Sequence, residues 1–140
     1  MERRYHARVY ADVAIPRSAP EALTYAVPER LEAFAIPGVR VRVPLRTKAV
    51  TGVLTATRAT TELEPSALRE LVEILDAEPL LPAHVFHLAR FIADYYRCPL
   101  GDTLAAVLPA GLLRADGEVA RLTAAGAPTA CNLRFSSRAR

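Results

Sequence analysis

The segment Val39-Arg-Val-Arg-Val-Pro-Leu45 narrows most sharply what this chain can fold into. Apolar and basic residues alternate strictly as far as Val43. A β-strand points successive side chains to opposite faces, so Val39, Val41 and Val43 should line a core while Arg40 and Arg42 share the other face. A helix cannot use that period. Pro37-Gly38 ahead of the strand is a strong turn signal. Behind it, Arg46-Thr47-Lys48 reads as a basic turn into residues 50–57, which are rich in β-branched side chains. Gly52 within that stretch suggests a bulge or the tight corner of a small barrel. Two earlier segments also read as strands. Residues 7–15 alternate weakly and end at Pro16, as an edge or first strand would. Residues 22–27 form a short run stopped by Pro28, residues 28–34 suit one helical turn, and residues 60–66 are a polar loop.

The second half changes period. From Pro82, which a first helical turn tolerates, the positions Val85, Leu88, Ala89, Ile92, Tyr95 and Tyr96 recur at helical spacing. Pro99 and Gly101 break that helix, and a second short one runs to a stop at Pro109. In Leu68-Arg-Glu-Leu-Val-Glu-Ile-Leu-Asp76 the apolar positions 68, 71, 72, 74 and 75 suit a helix.

A chain of 140 residues that is 51% hydrophobic can hold one domain with a real core, or one domain plus a fragment. No run of about 18 apolar residues occurs, which argues against a membrane span. Met1-Glu2-Arg3-Arg4 leads into no apolar signal core, so a cytoplasmic protein is the default expectation. Cys98 and Cys131 do not make a disulfide framework, and Cys98 is expected to pack as a small hydrophobe. Charge is informative when divided. Residues 1–60 carry ten Arg/Lys against five acids, residues 61–110 three against eight, and residues 111–140 five against two. The β-rich front is basic and the helical part acidic.

Several chemistries lack their residues. There is no Gly-x-x-x-x-Gly-Lys-(Ser/Thr) loop to cradle a nucleotide and no cysteine cluster to hold zinc. No cofactor is expected, and the chain does not read as an enzyme. His84 and His87 stand three apart, but no third ligand presents itself, so a solvated helix face is the better reading. Tyr95 and Tyr96 could stack on bases, although their helical spacing favours core packing. The basic residues offer more. Arg40, Arg42, Arg46, Lys48 and Arg58 come from a strand, its turn and the returning strand, and could form one cationic surface against a DNA backbone. The alternative is a solvated outer face. Little aromatic interleaving accompanies them, so continuous base stacking is not supported.

Longer phrases add a resemblance. Ala93-Asp-Tyr-Tyr-Arg-Cys-Pro-Leu-Gly-Asp102, with Leu108-Pro-Ala-Gly-Leu112 following, is similar to the N-terminal region of the primosomal protein N′ (PriA) family of bacterial replication-restart helicases. Asp12-Val-Ala-Ile-Pro16, Tyr25-Ala-Val-Pro-Glu29, Gly38 to Leu45 with Gly52-Val53, and Leu75-Asp-Ala-Glu-Pro-Leu-Leu81 fit the same family in the same order.

That resemblance implies an α+β domain: a small, strongly bent, barrel-like sheet with a C-terminal two-helix cap. It favours a strand for residues 70–75. It implies an N-terminal extension over residues 1–9 and a DNA 3′-end-binding domain over residues 10–110. Residues 111–140 would then be an incomplete winged-helix start or a disordered tail. The implied function is recognition of the 3′ end of the leading strand at stalled or forked DNA. Implied partners are forked or 3′-ended DNA, other primosome proteins and single-stranded-DNA-binding protein, with the motor in sequence this chain does not contain. The terminal nucleotide would sit near Leu23-Thr24-Tyr25, Arg46 and Arg69, with Arg40, Arg42 and Lys48 supplying further DNA contacts. Leu23 stands where an aromatic is common, Thr24 where Asp is frequent, and Arg46 where Gly often allows close backbone approach. A different class remains as the alternative: a small β-rich protein-interaction module with no nucleic-acid role, its basic face meeting an acidic partner.

Overall fold

The structure, a computed structural model, describes residues 9–17, 21–64 and 66–113. The expectations for the N-terminal extension before Val9, for residues 114–140 and for Cys131 lie outside these residues.

Period-two patterning organises the front of the molecule. Strands β1 (Val9–Ala14), β2 (Leu23–Val27), β3 (Arg40–Leu45), β4 (Lys48–Arg58) and β5 (Glu73–Ile74) form one antiparallel sheet in the order β2-β1-β4-β3-β5. Val39, Val41 and Val43 are fully buried, as their alternation requires, and Arg40 and Arg42 take the opposite side of β3. β1 is the first strand but not an edge, because it lies between β2 and β4. Its register against β4 slips between Asp12, opposite Ala56, and Val13, opposite Leu54. The extra residue is Thr55, whose hydroxyl donates to the Asp12 carbonyl at 3.0 Å. The bulge therefore sits at Thr55, not at Gly52. Gly52 answers a different need, since a Cβ there would stand 2.6 Å from Val13 Cγ1 and 2.8 Å from the Ala14 carbonyl oxygen.

Residues 69–75 are extended, which removes the helical reading. Val72 N–H donates to the Arg42 carbonyl at 3.0 Å and Leu75 N–H to the Arg40 carbonyl at 2.9 Å. On the other side, Ala26 N–H donates to the Arg69 carbonyl at 2.9 Å and Leu71 N–H to the Ala26 carbonyl at 3.0 Å, forming an isolated parallel bridge of Ala26 with Glu70. One short segment thus touches β2 and β3. The sheet itself is open, with β2 and β5 at its edges. A 3₁₀ turn over Glu29–Phe34 supplies the single helical turn expected there.

Two helices follow, α1 (Ala83–Tyr96) and α2 (Leu100–Val107), and each sheet face gains its own apolar cluster. Val13, Val27, Val41, Leu54 and Leu71 belong to the first. Ala14 and Val53 turn to the other side and meet Phe86, Ala89, Leu104 and Leu108 of the helical layer. The buried stripe of α1 is Phe86, Ala89 and Ala93, and this corrects the aromatic assignment. Tyr95 and Tyr96 are each 71% exposed, and Leu88 and Phe91 are exposed as well. Small alanines let the helix approach its neighbours closely, so the bulky side chains were turned outward. Phe91 stacks on Tyr95 at a ring separation of 5.9 Å, and Tyr95 meets Tyr96 edge-on at 5.0 Å. His84 and His87 are exposed on the same helix. No helix among the described residues is long and apolar enough to cross a membrane.

The corner between the helices explains its own sequence. Arg97 adopts the left-handed conformation at φ 54, ending α1, and Cys98 N–H donates to the Ala93 carbonyl at 3.1 Å. Cys98 is half-buried, its Sγ 3.2 Å from the Thr103 hydroxyl. Gly101 then packs against the end of β1: a Cβ there would lie 2.6 Å from both the carbonyl carbon and oxygen of Ile15. Asp102 completes the contact by accepting the Arg17 N–H at 2.8 Å.

Candidate nucleic-acid interface

Strand alternation decides which residues of β2 can share a site. Leu23 and Tyr25 point to the side of the first apolar cluster, where Tyr25 is buried and Leu23 packs against it. Tyr25 donates its hydroxyl to the Pro44 carbonyl at 3.2 Å, tying β2 to the end of β3. Burial pushes the Tyr25 phenol above its ordinary value, and the nearby charge of Arg69 partly opposes that. Thr24 faces the other way. It stands opposite Asp12 and donates its hydroxyl to that carboxylate at 2.8 Å. A period of two places residue 24 on the strand face opposite 23 and 25. A carboxylate at position 24 would stand against Asp12.

The β3–β4 hairpin supplies the next component. Leu45 pairs with Lys48, which leaves Arg46-Thr47 as a two-residue turn. Such turns need a left-handed residue to match the twist of the strands and usually select Gly, Asn or Asp. Arg46 takes that conformation at φ 55, at a cost of roughly 1–2 kcal/mol for an L-residue. Its carbonyl accepts a hydrogen bond from Arg69 Nη1 at 2.7 Å, so the head of the 69–75 segment is fastened to the hairpin tip. Tyr25, Arg46 and Arg69 therefore come together, from positions far apart in sequence. Leu23 lines a cleft of about 1050 Å³ together with Arg46 and Lys48.

Several of the basic residues face carboxylates. Arg40 is a structural cation: Nε and Nη2 donate to both Asp76 oxygens, the closest contact being 2.7 Å, and Nη1 donates to the Leu112 carbonyl at 2.9 Å. Arg58 pairs with Asp12 at 2.8 Å, and Arg42 lies 4.0 Å from Glu73. Carboxylates brought in by β1 and by residues 73–76 neutralise the strand cations. Exposed positive charge is left at the hairpin end, at Arg46 and Lys48, with Arg69 beside it. Arg17 joins them on the same cleft, a residue that strand alternation gave no reason to select. Its signal was the Pro16-Arg17 corner facing the Gly101-Asp102 phrase, legible only once the two are known to touch.

Comparison with known proteins places the chain in a family. The family model of the 3′DNA-binding domain (3′BD) of PriA matches residues 12–109. The replication restart protein PriA of Chlamydia pneumoniae is 34% identical over 103 residues, which cover 74% of this chain and 13% of that protein. PriA of Bacillus subtilis (strain 168) is 27% identical over 106 residues, covering 76% and 13%. That of Buchnera aphidicola subsp. Acyrthosiphon pisum is 24% identical over 101 residues, covering 72% and 14%. The chain thus spans about an eighth of the length of these relatives. With the family model spanning most of the described residues, from β1 to the proline after α2, the chain belongs to the PriA 3′DNA-binding domain family.

Proposed function

We propose that this domain holds the 3′ end of a DNA strand at stalled or forked DNA, as a non-enzymatic module of a replication-restart protein. The observation that carries the reading is the Arg69 guanidinium fastened to the Arg46 carbonyl beside the buried Tyr25. It creates a cationic corner at the end of the sheet, built on hydrogen-bonded backbone. Arg46, Lys48 and Arg69 would hold phosphate, and Leu23 would pack against the terminal sugar or base face. Contacts of this kind fix position without reading sequence, which suits a protein that must act at any fork. Arg40, Arg42 and Arg58 have a secondary part, since carboxylates already face them. The Ala26–Glu70 bridge supports a sheet drawn toward a barrel. Other primosome proteins and single-stranded-DNA-binding protein remain the proposed protein partners, and the exposed row Phe91, Tyr95 and Tyr96 is an apolar surface available to them.

The test compares forked DNA carrying a free 3′-hydroxyl with the same fork carrying a 3′-phosphate. The free end is expected to bind better. Arg69→Ala should weaken binding of the free-ended fork by about tenfold, the effect of one charge-assisted hydrogen bond worth roughly 1.5 kcal/mol. Equal binding of both forks by the unaltered protein would remove end recognition from the reading.

A further inference from the structure

We propose that the cleft between the β3–β4 hairpin and α2 is the track for the DNA strand that leads up to the 3′ terminus, gripping the sugar-phosphate backbone of the preceding nucleotides. The inference rests on the end-binding reading and extends it from one nucleotide to several. Four observations carry it.

Charge comes first. Among the described residues, Arg17, Arg46 and Lys48 line the cleft and no acidic side chain does, although acidic residues dominate residues 61–110. Three cations around one trough suit successive phosphates, which recur along a strand. Size is the second. At about 1050 Å³ the cleft reaches the top of the range that a whole drug-sized ligand fills, more than a terminal nucleotide requires.

Continuity is the third observation. Leu23 and Arg46 belong both to this cleft and to the end of the sheet where Tyr25 and Arg69 lie. A strand whose last residue is held there can pass directly between the hairpin and the residues after α2. The floor fits that occupant: Leu23, Leu45, Val50 and Leu108 offer apolar surface to deoxyriboses, and among the described residues no aromatic side chain lines it for base stacking.

The fourth observation is that the wall is prebuilt. Arg17 is left-handed at φ 56 and its N–H is held by Asp102, while Gly101 lets the Ile15 carbonyl close against α2. The backbone that leads to the Arg17 side chain is therefore held against α2 by Asp102 and by the Gly101 contact, which lowers the ordering cost of binding.

The experiment uses the full chain and a competition assay with single-stranded oligonucleotides of one to eight nucleotides, each with a 3′-hydroxyl or a 3′-phosphate. Affinity is expected to rise at least tenfold between one and about four nucleotides. Arg17→Gly with Lys48→Ala, both at exposed positions and the first suited to a left-handed backbone, should flatten that rise. The same variant should reduce the salt slope by about 1.4 units, roughly 0.7 for each cation on single strands. Circular dichroism establishes that the variant is folded. A preference for the free 3′-hydroxyl with no gain beyond one nucleotide would overturn the track and leave end recognition standing. A length-dependent gain that the variant loses, without any preference for the free end, supports the track and overturns end recognition. Competition by polyglutamate as strong as by DNA of equal charge would overturn the track in favour of an acidic protein partner.

Discussion

Gly101→Ala is expected to lower the melting temperature by roughly 4–16 °C, a large effect for one methyl group. The added carbon would lie 2.6 Å from the carbonyl carbon and oxygen of Ile15 and 2.9 Å from the nitrogen of Pro16. All three are backbone atoms of a corner already tied to Asp102, so no flexible side chain can swing away. Overpacking of this sort costs about 1–3 kcal/mol, and the alanine recovers at most about 1 kcal/mol through helix propensity. Each kcal/mol lost moves the midpoint by roughly 4–8 °C in a domain of this size. Asp102→Asn is the matched control. It keeps an oxygen to accept the Arg17 N–H, and its melting temperature is expected within about 3 °C of the unaltered chain. Thermal unfolding followed by circular dichroism measures both. A Gly101→Ala protein melting with the unaltered chain would mean that α2 and β1 do not approach as closely as described.

Asp76→Ala should destabilise the domain by about 3 kcal/mol. Its side chain is only 10% exposed and that of Arg40 20%. The carboxylate accepts from the Arg40 guanidinium and, at 2.9 Å, from the Arg40 N–H. Removing it strands a half-buried cation, and breaking such a pair from one side costs about 3–5 kcal/mol, with the lower end suited to partial exposure. The same pair makes stability depend on acid. Burial alone would raise the Asp76 pKa, but hydrogen bonds from the Arg40 side chain and backbone, with its charge, outweigh burial and hold it below the usual carboxylate value. A depressed carboxyl stabilises the fold fully above its unfolded value, near 3.8, and the contribution disappears as pH falls through the lower folded value. Denaturant unfolding at a series of pH values should therefore show a decline below about pH 4 that Asp76→Ala lacks in part. Parallel curves for the two proteins would remove this pair from the acid response.

How much of this was legible in advance divides by distance along the chain. The Val39–Val43 alternation named a strand and its buried face correctly, because a period of two is a local property. The existence of α1 was equally clear, but its buried face was not. Tyr95 and Tyr96 are more apolar in size than Ala89 and Ala93, yet close packing against α2 and the sheet selected the smaller pair. Alternation alone turns Thr24 to the face opposite Leu23 and Tyr25, and the family phrase Leu23-Thr24-Tyr25 names the three together. Arg40 could not be assigned beforehand. Its partner lies 36 residues away, in a segment whose conformation the sequence left open. The meeting of Arg46 with Arg69 was implied by resemblance, and its cause, a carbonyl presented by a left-handed turn, emerges only from the backbone.

The division of the core has a consequence for how the molecule breathes. Among the described residues, ten buried side chains fill the first cluster and six the second, where Ala14 and Val53 are the sheet's contribution. Free energies of partial opening follow buried apolar contact, so the α1–α2 pair is expected to lift before the sheet opens. The cleft lies along that seam, with its hairpin cations on the sheet and Leu108 and Pro109 on the helical side. A strand seated there would bridge the two layers and hold the helices down. Slowed amide hydrogen exchange over residues 83–107, with the strands unchanged, would then register an occupied cleft from within the protein.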